Sequence, residues 1–271
     1  MNVVTTACLA VLAVSLLLVV GFVLRARGLV DRSLGLDTMM SVVLNGLAVV
    51  IVVTGASTGI GAAFARLAAS KGAALVLVAR RPVALEAVAE ACGPNAVAVA
   101  ADVARRTEVE RVVSAAIARF RHIDVWVNNV GQGITRMPSE LTDDDIDAMI
   151  TVNVKSALYG MQAVLPHFKA RGSGQVINIS SMLGRVPLAV FRSSYCGAKH
   201  FLNALTATMR AEVQATHPGI QFTLVSPGGV KTDFGLNARH GGVDSKSFAD
   251  FEEPDGVAAA IWEAVETRVP D

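Results

Sequence analysis

Tyr195 and Lys199 stand four apart in the run Tyr195-Cys-Gly-Ala-Lys199. On a helix that spacing puts both side chains on one face, within reach of each other. A phenol titrates near pH ~10, too high for easy proton exchange at neutral pH. A neighbouring ammonium favours the phenolate and lowers that pKa, which makes the tyrosine a candidate general acid or base. The pair alone is common, so its company decides. Ser181 lies upstream, just after the apolar run Val176 to Ile179, and the glycine-rich stretch Thr54-Gly-Ala-Ser-Thr-Gly-Ile-Gly61 follows another apolar run. Carbonyl reduction needs a hydride, a proton for the developing alkoxide and a donor that holds the oxygen. A cofactor loop, a tuned phenol and a hydroxyl supply all three; a serine hydrolase is the poorer fit.

The elements that must position these groups follow from the pattern. Apolar runs at 47–53, 74–79, 96–100, 123–128, 175–180 and 220–226 have the Val/Ile-rich character of strands buried on both faces. Helical segments fill the gaps at 60–70, 83–91, 105–120, 143–169 and 196–216. Thr142, followed by Asp143, Asp144 and Asp145, caps one of them, and the three acids complement its N-terminus. Regular alternation predicts an α/β fold, a doubly wound parallel sheet covered on both faces. Residues 234–254 lack firm periodicity and are expected to form a mobile lid over the substrate.

Ahead of this domain, Val3 to Leu24 carries no charge, and Arg25 and Arg27 follow at once. An apolar helix of that length spans the ~30 Å hydrocarbon core. The expected organisation is a transmembrane anchor at 1–27, a linker at 28–46 and the catalytic domain at 47–271. A cleaved signal would be shorter and end in small residues. The positive-inside tendency puts the domain on the cytosolic face of the membrane. With 24 basic and 23 acidic residues, the net charge gives no reason to expect nucleic acid. Cys8, Cys92 and Cys196 are far apart and odd in number, and the five histidines are scattered. No metal site or disulfide framework is expected, and a reducing compartment suits the chain.

The glycine turn falls between the first strand and the first helix, where a doubly wound fold binds phosphates. Its glycines, Gly55, Gly59 and Gly61, are spaced Gly-x-x-x-Gly-x-Gly. The second strand ends in Arg80-Arg81, where an NAD site places an acid. Arginine there accommodates a 2′-phosphate, so NADP(H) is favoured over NAD(H); the bland alternative is a solvated pair at a helix start. Asp102, after the third strand, either accepts from an adenine or caps the next helix.

Together these motifs resemble the short-chain dehydrogenase/reductase family from about Leu47 to Thr267. The family's pieces occur in order: the glycine turn, Asp102-Val103, Asn128-Asn-Val-Gly131, Asn153, Ser181, Tyr195-x-x-x-Lys199 and Pro227-Gly-Gly-Val-Lys-Thr232. The resemblance implies that Tyr195 exchanges the proton and Ser181 holds the substrate oxygen. Lys199 would bind the nicotinamide ribose and depress the phenol pKa, and Asn153 would hold a relay water. It further implies cofactor contacts from Gly55, Ser57, Thr58, Gly59, Ile60, Gly61, Asn129, Pro227 and Gly228, with Val230 and Thr232 on the carboxamide. Three departures stand out: Val130 replaces the usual alanine, Thr58 replaces a basic residue before Gly59, and the chain stops at Asp271, just after the helix that precedes the family's final strand. The last leaves a homodimer through that sheet edge open. Met182, Leu183, Val186, Leu188, Val190 and Phe191 suggest an apolar carbonyl substrate, lipid-, steroid- or retinoid-like, although ordinary loop packing explains them equally. The rival functions are an NAD-dependent alcohol dehydrogenase and a non-catalytic cofactor-binding membrane protein.

Overall fold

The computed structural model describes residues 48–270; the expected anchor at 1–27 and linker at 28–46 lie outside them. Among the described residues no helix is long and apolar enough to cross a membrane. Six strands form one sheet: β1 (Val50–Thr54), β2 (Ala74–Ala79), β3 (Ala96–Ala100), β4 (Val125–Asn128), β5 (Gly174–Ile179) and β6 (Ile220–Val225). Every neighbouring pair is parallel, in the order β3-β2-β1-β4-β5-β6. The order reverses between β1 and β4, which opens a crevice at their C-terminal ends, the place where such folds hold ligands. Helices α1 (Gly59–Ser70), α2 (Pro82–Cys92), α3 (Arg106–Phe120), α4 (Asp143–Ile150), α5 (Ser156–Arg171), α6 (Ser193–Gln214) and α7 (Pro254–Thr267) connect and follow them.

β1, β2, β4 and β5 are buried along their whole length, because helices cover both faces. The core against α1, α2 and α7 contains Ile51, Val53, Leu75, Leu77, Phe64 and Ile261. Each such side chain stabilises the fold by about 1.5–3 kcal/mol relative to exposure. A strand buried on both faces has no polar side to fix its register, so polar clips do that for β1. At its start Val50 N donates to Asp124 Oδ2 at 2.8 Å, and at its end Thr54 Oγ1 donates to Val127 O at 3.1 Å. A second buried polar chain ties β4, β5 and α6: Trp126 Nε1 donates to Asn128 Oδ1, Asn128 Nδ2 to Asn178 Oδ1, and Asn178 Nδ2 to Thr206 Oγ1, at 2.7–2.8 Å.

Two expectations change in detail. The helix foreseen at 143–169 is two helices joined by a π turn at Thr151–Lys155, a local irregularity that amphipathic spacing does not report and that is frequent at functional sites. At the far edge, Thr223 Oγ1 donates to Val269 O and Leu224 N to Pro270 O, so residues 269 and 270 satisfy the outer side of β6.

Candidate active site

The turn after β1 is built by backbone geometry. Gly55 and Gly59 take φ of 67° and 57°, the left-handed region that side chains with a Cβ avoid. Gly61 is needed for closeness instead: a Cβ there would lie 2.4 Å from Gly55 O and 2.6 Å from Asn129 Nδ2. Asn129 clips this turn to the end of β4, donating from Nδ2 to Thr54 O at 3.0 Å and to Gly55 O at 3.2 Å. Helix α1 then begins with no side-chain cap and no acid in its first turn, which leaves free N–H groups and a positive dipole end beside the cavity. That cradle fits the phosphates of a dinucleotide.

A cavity of about 940 Å³ runs along the C-terminal ends of the strands, large enough for a cofactor and part of a substrate. One end is lined by Arg80, Arg81, Asp102 and Val103, the middle by Gly55, Ser57, Thr58, Gly59, Ile60 and Asn129. The other end is lined by Ser181, Tyr195, Lys199, Pro227, Gly228, Val230 and Thr232. Of the residues expected at the site, only Gly61 and Asn153 stand behind the wall. Gly55-Ala-Ser57-Thr-Gly59 also has the Gly-x-Ser-x-Gly spacing of a hydrolase elbow. No histidine lines the cavity among the described residues, so Ser57 lacks the usual base.

Ser181 leaves the end of β5, and Tyr195 sits in the first turn of α6, where the strand end and helix start converge. Both are buried, and Ser181 lies close enough to pull the Tyr195 pKa down. Ser181 Oγ also accepts from Leu183 N at 3.1 Å. Lys199, one turn on and 3% exposed, donates from Nζ to Ile179 O at 2.8 Å and lies 5.8 Å from the Tyr195 ring centroid. The expected lowering of the phenol pKa by this lysine is not what the protein alone produces. Burial pushes Tyr195 up to about 12, against the Ser181 hydrogen bond and the charge of Arg192, which pull it down. Burial also brings Lys199 down to about 8. Desolvation outweighs the pair because each charged form is removed from water while the ammonium is directed at a backbone carbonyl.

Asn153 lies in the π turn, 1% exposed. Its Oδ1 accepts from Gln132 N at 3.1 Å and its Nδ2 donates to Gln132 O at 3.0 Å and Met149 O at 3.1 Å. It therefore fixes the backbone after Gly131. Asp102 does not cap the next helix, whose N-cap is Arg105 without a side-chain cap; its Oδ1 accepts from Ala104 N at 3.1 Å in the turn before it, and the residue lines the cavity. Asp145 does more than complement a helix end. It completes a capping box with Thr142 and, wholly buried, accepts from Arg239 Nε at 2.5 Å and pairs with His240 Nε2 at 2.7 Å and Arg136 Nη1 at 3.5 Å. Burial raises its pKa, but the hydrogen bonds from Arg239, His240 and Thr142 win and hold the carboxyl well below its usual range. The segment expected as a free lid is thus anchored: Arg239 also bridges to Ile134, and Val230 to Glu252.

Among the cavity residues that the sequence does not single out are Arg192 and Phe234. Arg192 precedes Tyr195 by three, a helical spacing that could have revealed it. Phe234, whose ring meets Tyr195 edge-on at 5.6 Å, carries no local signal.

The model of the short chain dehydrogenase family matches residues 49–241. An uncharacterised oxidoreductase of Staphylococcus saprophyticus is 36% identical over 224 residues, which cover 80% of this chain and 89% of the relative. A short-chain dehydrogenase of Streptomyces avermitilis superposes with a TM-score of 0.75 at 30% identity, covering 83% of this chain and 86% of its own. An alcohol dehydrogenase of the archaeon Thermococcus sibiricus, solved with 5-hydroxy-NADP, gives 0.71 at 30% identity, covering 81% and 91%. Motif order, parallel sheet and these likenesses agree: the chain belongs to the short-chain dehydrogenase/reductase family, an oxidoreductase for a CH–OH/carbonyl pair and a nicotinamide dinucleotide.

Proposed function

We propose that this protein is an NADP(H)-dependent oxidoreductase that interconverts an apolar carbonyl compound and its alcohol, with Tyr195 as general acid and base. The observation that carries the proposal is the convergence of the buried Ser181 and Tyr195 on the same cavity. Two hydroxyls converging there offer a carbonyl oxygen two donors, an arrangement that stabilises the developing alkoxide. The bound cofactor supplies the hydride. With burial holding its pKa at about 12, Tyr195 keeps its proton at neutral pH, which suits donation to a developing alkoxide. Lys199, held by Ile179 O, is oriented beside the phenol and in reach of a cofactor ribose; Asn153 keeps the Gln132 backbone in place.

The preference for NADP(H) rests on Arg80 and Arg81 at the adenosine end of the cavity, with no acid beside them at the end of β2; the Thermococcus relative was solved with an NADP derivative. An apolar substrate is supported by Met182, Phe191, Val243 and Phe248, which line the cavity yet remain 40–56% exposed. We further propose, on the charge-free run Val3 to Leu24 and the arginines after it, that residues 1–27 anchor the protein in a membrane with the domain on the cytosolic side. Resistance of the full chain to carbonate extraction tests that part.

The test of the chemistry is Tyr195→Phe assayed against wild type by NADPH consumption on a panel of apolar ketones and aldehydes. Turnover is expected to fall by at least about a hundredfold, with cofactor affinity nearly unchanged. A variant that keeps near-wild-type rates refutes the proton-transfer role.

A further inference from the structure

Most charges around the substrate end of the cavity are matched. Lys199 is directed at Ile179 O, Asp233 is paired with Lys246 at 2.6 Å, and Arg136 and Arg239 both reach Asp145. Arg192 is the exception. It lines the cavity and is only partly exposed, and among the described residues it has neither a carboxylate partner nor a side-chain hydrogen bond. Its single contact of note is with the Phe191 ring, the guanidinium carbon lying 5.8 Å from the centroid. That is near the outer limit of a useful cation–π contact, about 6 Å, and does not account for a half-buried charge. Arg80 and Arg81 lie at the opposite end of the cavity.

The guanidinium has a defined place. A Cβ on residue 133 would sit 2.5 Å from Arg192 Nη1 and 3.0 Å from Phe234 Cε1, so Gly133 leaves the gap that the guanidinium occupies. Phe234 in turn packs edge-on against Tyr195. Guanidinium, phenylalanine ring and phenol ring thus lie in sequence along the cavity, with Phe234 between the positive charge and the Tyr195 ring. An unmatched planar fork of donors is built for bidentate binding of a carboxylate, and desolvating it without a partner is unfavourable.

We propose that Arg192 is a specificity-determining residue that binds a carboxylate carried by the substrate a few bonds from its reacting carbonyl. The substrate class is then an amphiphilic oxo acid, its apolar body along Met182, Phe191 and Phe248 and its anionic group on Arg192. This deepens the reading of Tyr195 as the reacting group and rests on it for the position of the carbonyl.

The experiment is calorimetric titration of the full-length protein, saturated with NADP+, with a medium-chain oxo carboxylate and with its methyl ester. Wild type should bind the acid about ten- to a hundredfold more tightly than the ester, as expected of one charge-assisted pair. Arg192→Gln should erase that preference, Arg192→Lys should keep part of it, and Gly133→Ala, which displaces the guanidinium without removing its charge, should weaken it. Equal affinities in wild type, or an acid preference that survives Arg192→Gln, overturns the proposal. A parallel titration with NADP+ separates the other source of anionic groups: a loss of cofactor affinity in Arg192→Gln, with the acid preference intact, assigns the arginine to the cofactor and also overturns it. Because binding is read without turnover, failure here is distinct from an active Tyr195→Phe protein, which would refute the proton-transfer role instead.

Discussion

Lys199→Met isolates the cost of keeping an ammonium in the interior. The side chain is 3% exposed, and burial brings its pKa from an ordinary 10.5 to about 8. That gap corresponds to roughly 3 kcal/mol by which the folded state disfavours the charged form. Below pH ~8 both folded and unfolded chains carry the proton, so the full cost is present. Between about 8 and 10.5 the unfolded chain still holds the proton that the folded protein has released, so stability rises with pH. Methionine has similar volume and no charge, and its variant lacks this dependence. Losing the hydrogen bond to Ile179 O costs the variant about 1.5–3 kcal/mol, so near pH ~7 the two proteins should differ little. From pH ~7 to about 9.5 the wild type should gain roughly 2 kcal/mol on the variant. Tyr195, raised from 10.0 to about 12, gives stability that is fully present below pH ~10 and is lost towards its folded value; it lies above this window and is shared by both proteins. The assay is urea unfolding of both full-length proteins in one detergent, free of cofactor, followed by fluorescence of the buried Trp126. A stability difference that does not move with pH would refute the picture of a desolvated ammonium. Weaker NADP+ binding by the variant is expected alongside.

Gly61→Ala places a methyl 2.4 Å from a backbone oxygen that cannot rotate away; a loss of about 1–3 kcal/mol in stability and weaker NADP+ binding should appear together in unfolding and titration curves. Asp145→Asn removes the charge that Arg239 and His240 share, so limited proteolysis should cut residues 234–251 faster while circular dichroism stays native-like. Unchanged cleavage would mean that the backbone bridges hold the segment unaided. Arg80→Asp should lower the preference for NADP+ over NAD+ by about tenfold or more, as one exposed charge pair turns repulsive; equal ratios in the two proteins would remove Arg80 from phosphate recognition.

By itself the sequence determined what depends on neighbours along the chain. Apolar runs bounded by turn residues placed β2 and β3 to the residue and the other four strands within a few positions of their ends, because burial on both faces demands continuous apolar stretches; β3, expected to be buried like the rest, lies at the sheet edge and is only partly covered. The helical offset of Tyr195 and Lys199, the cap at Thr142 and the glycine turn are local in the same sense. Tertiary structure alone decided what depends on the surroundings. Whether the ammonium lowers the phenol pKa or burial raises it depends on how much water the fold removes, which no spacing encodes. Asp145 meets its partners 94 and 95 residues away, so its charge could not be told from that of its exposed neighbours Asp143 and Asp144. The spacing of Arg192 from Tyr195 lies along the chain, but that its guanidinium meets no carboxylate and no side-chain hydrogen bond among the described residues does not, since a missing partner is a property of the whole packed chain and not of any segment within it.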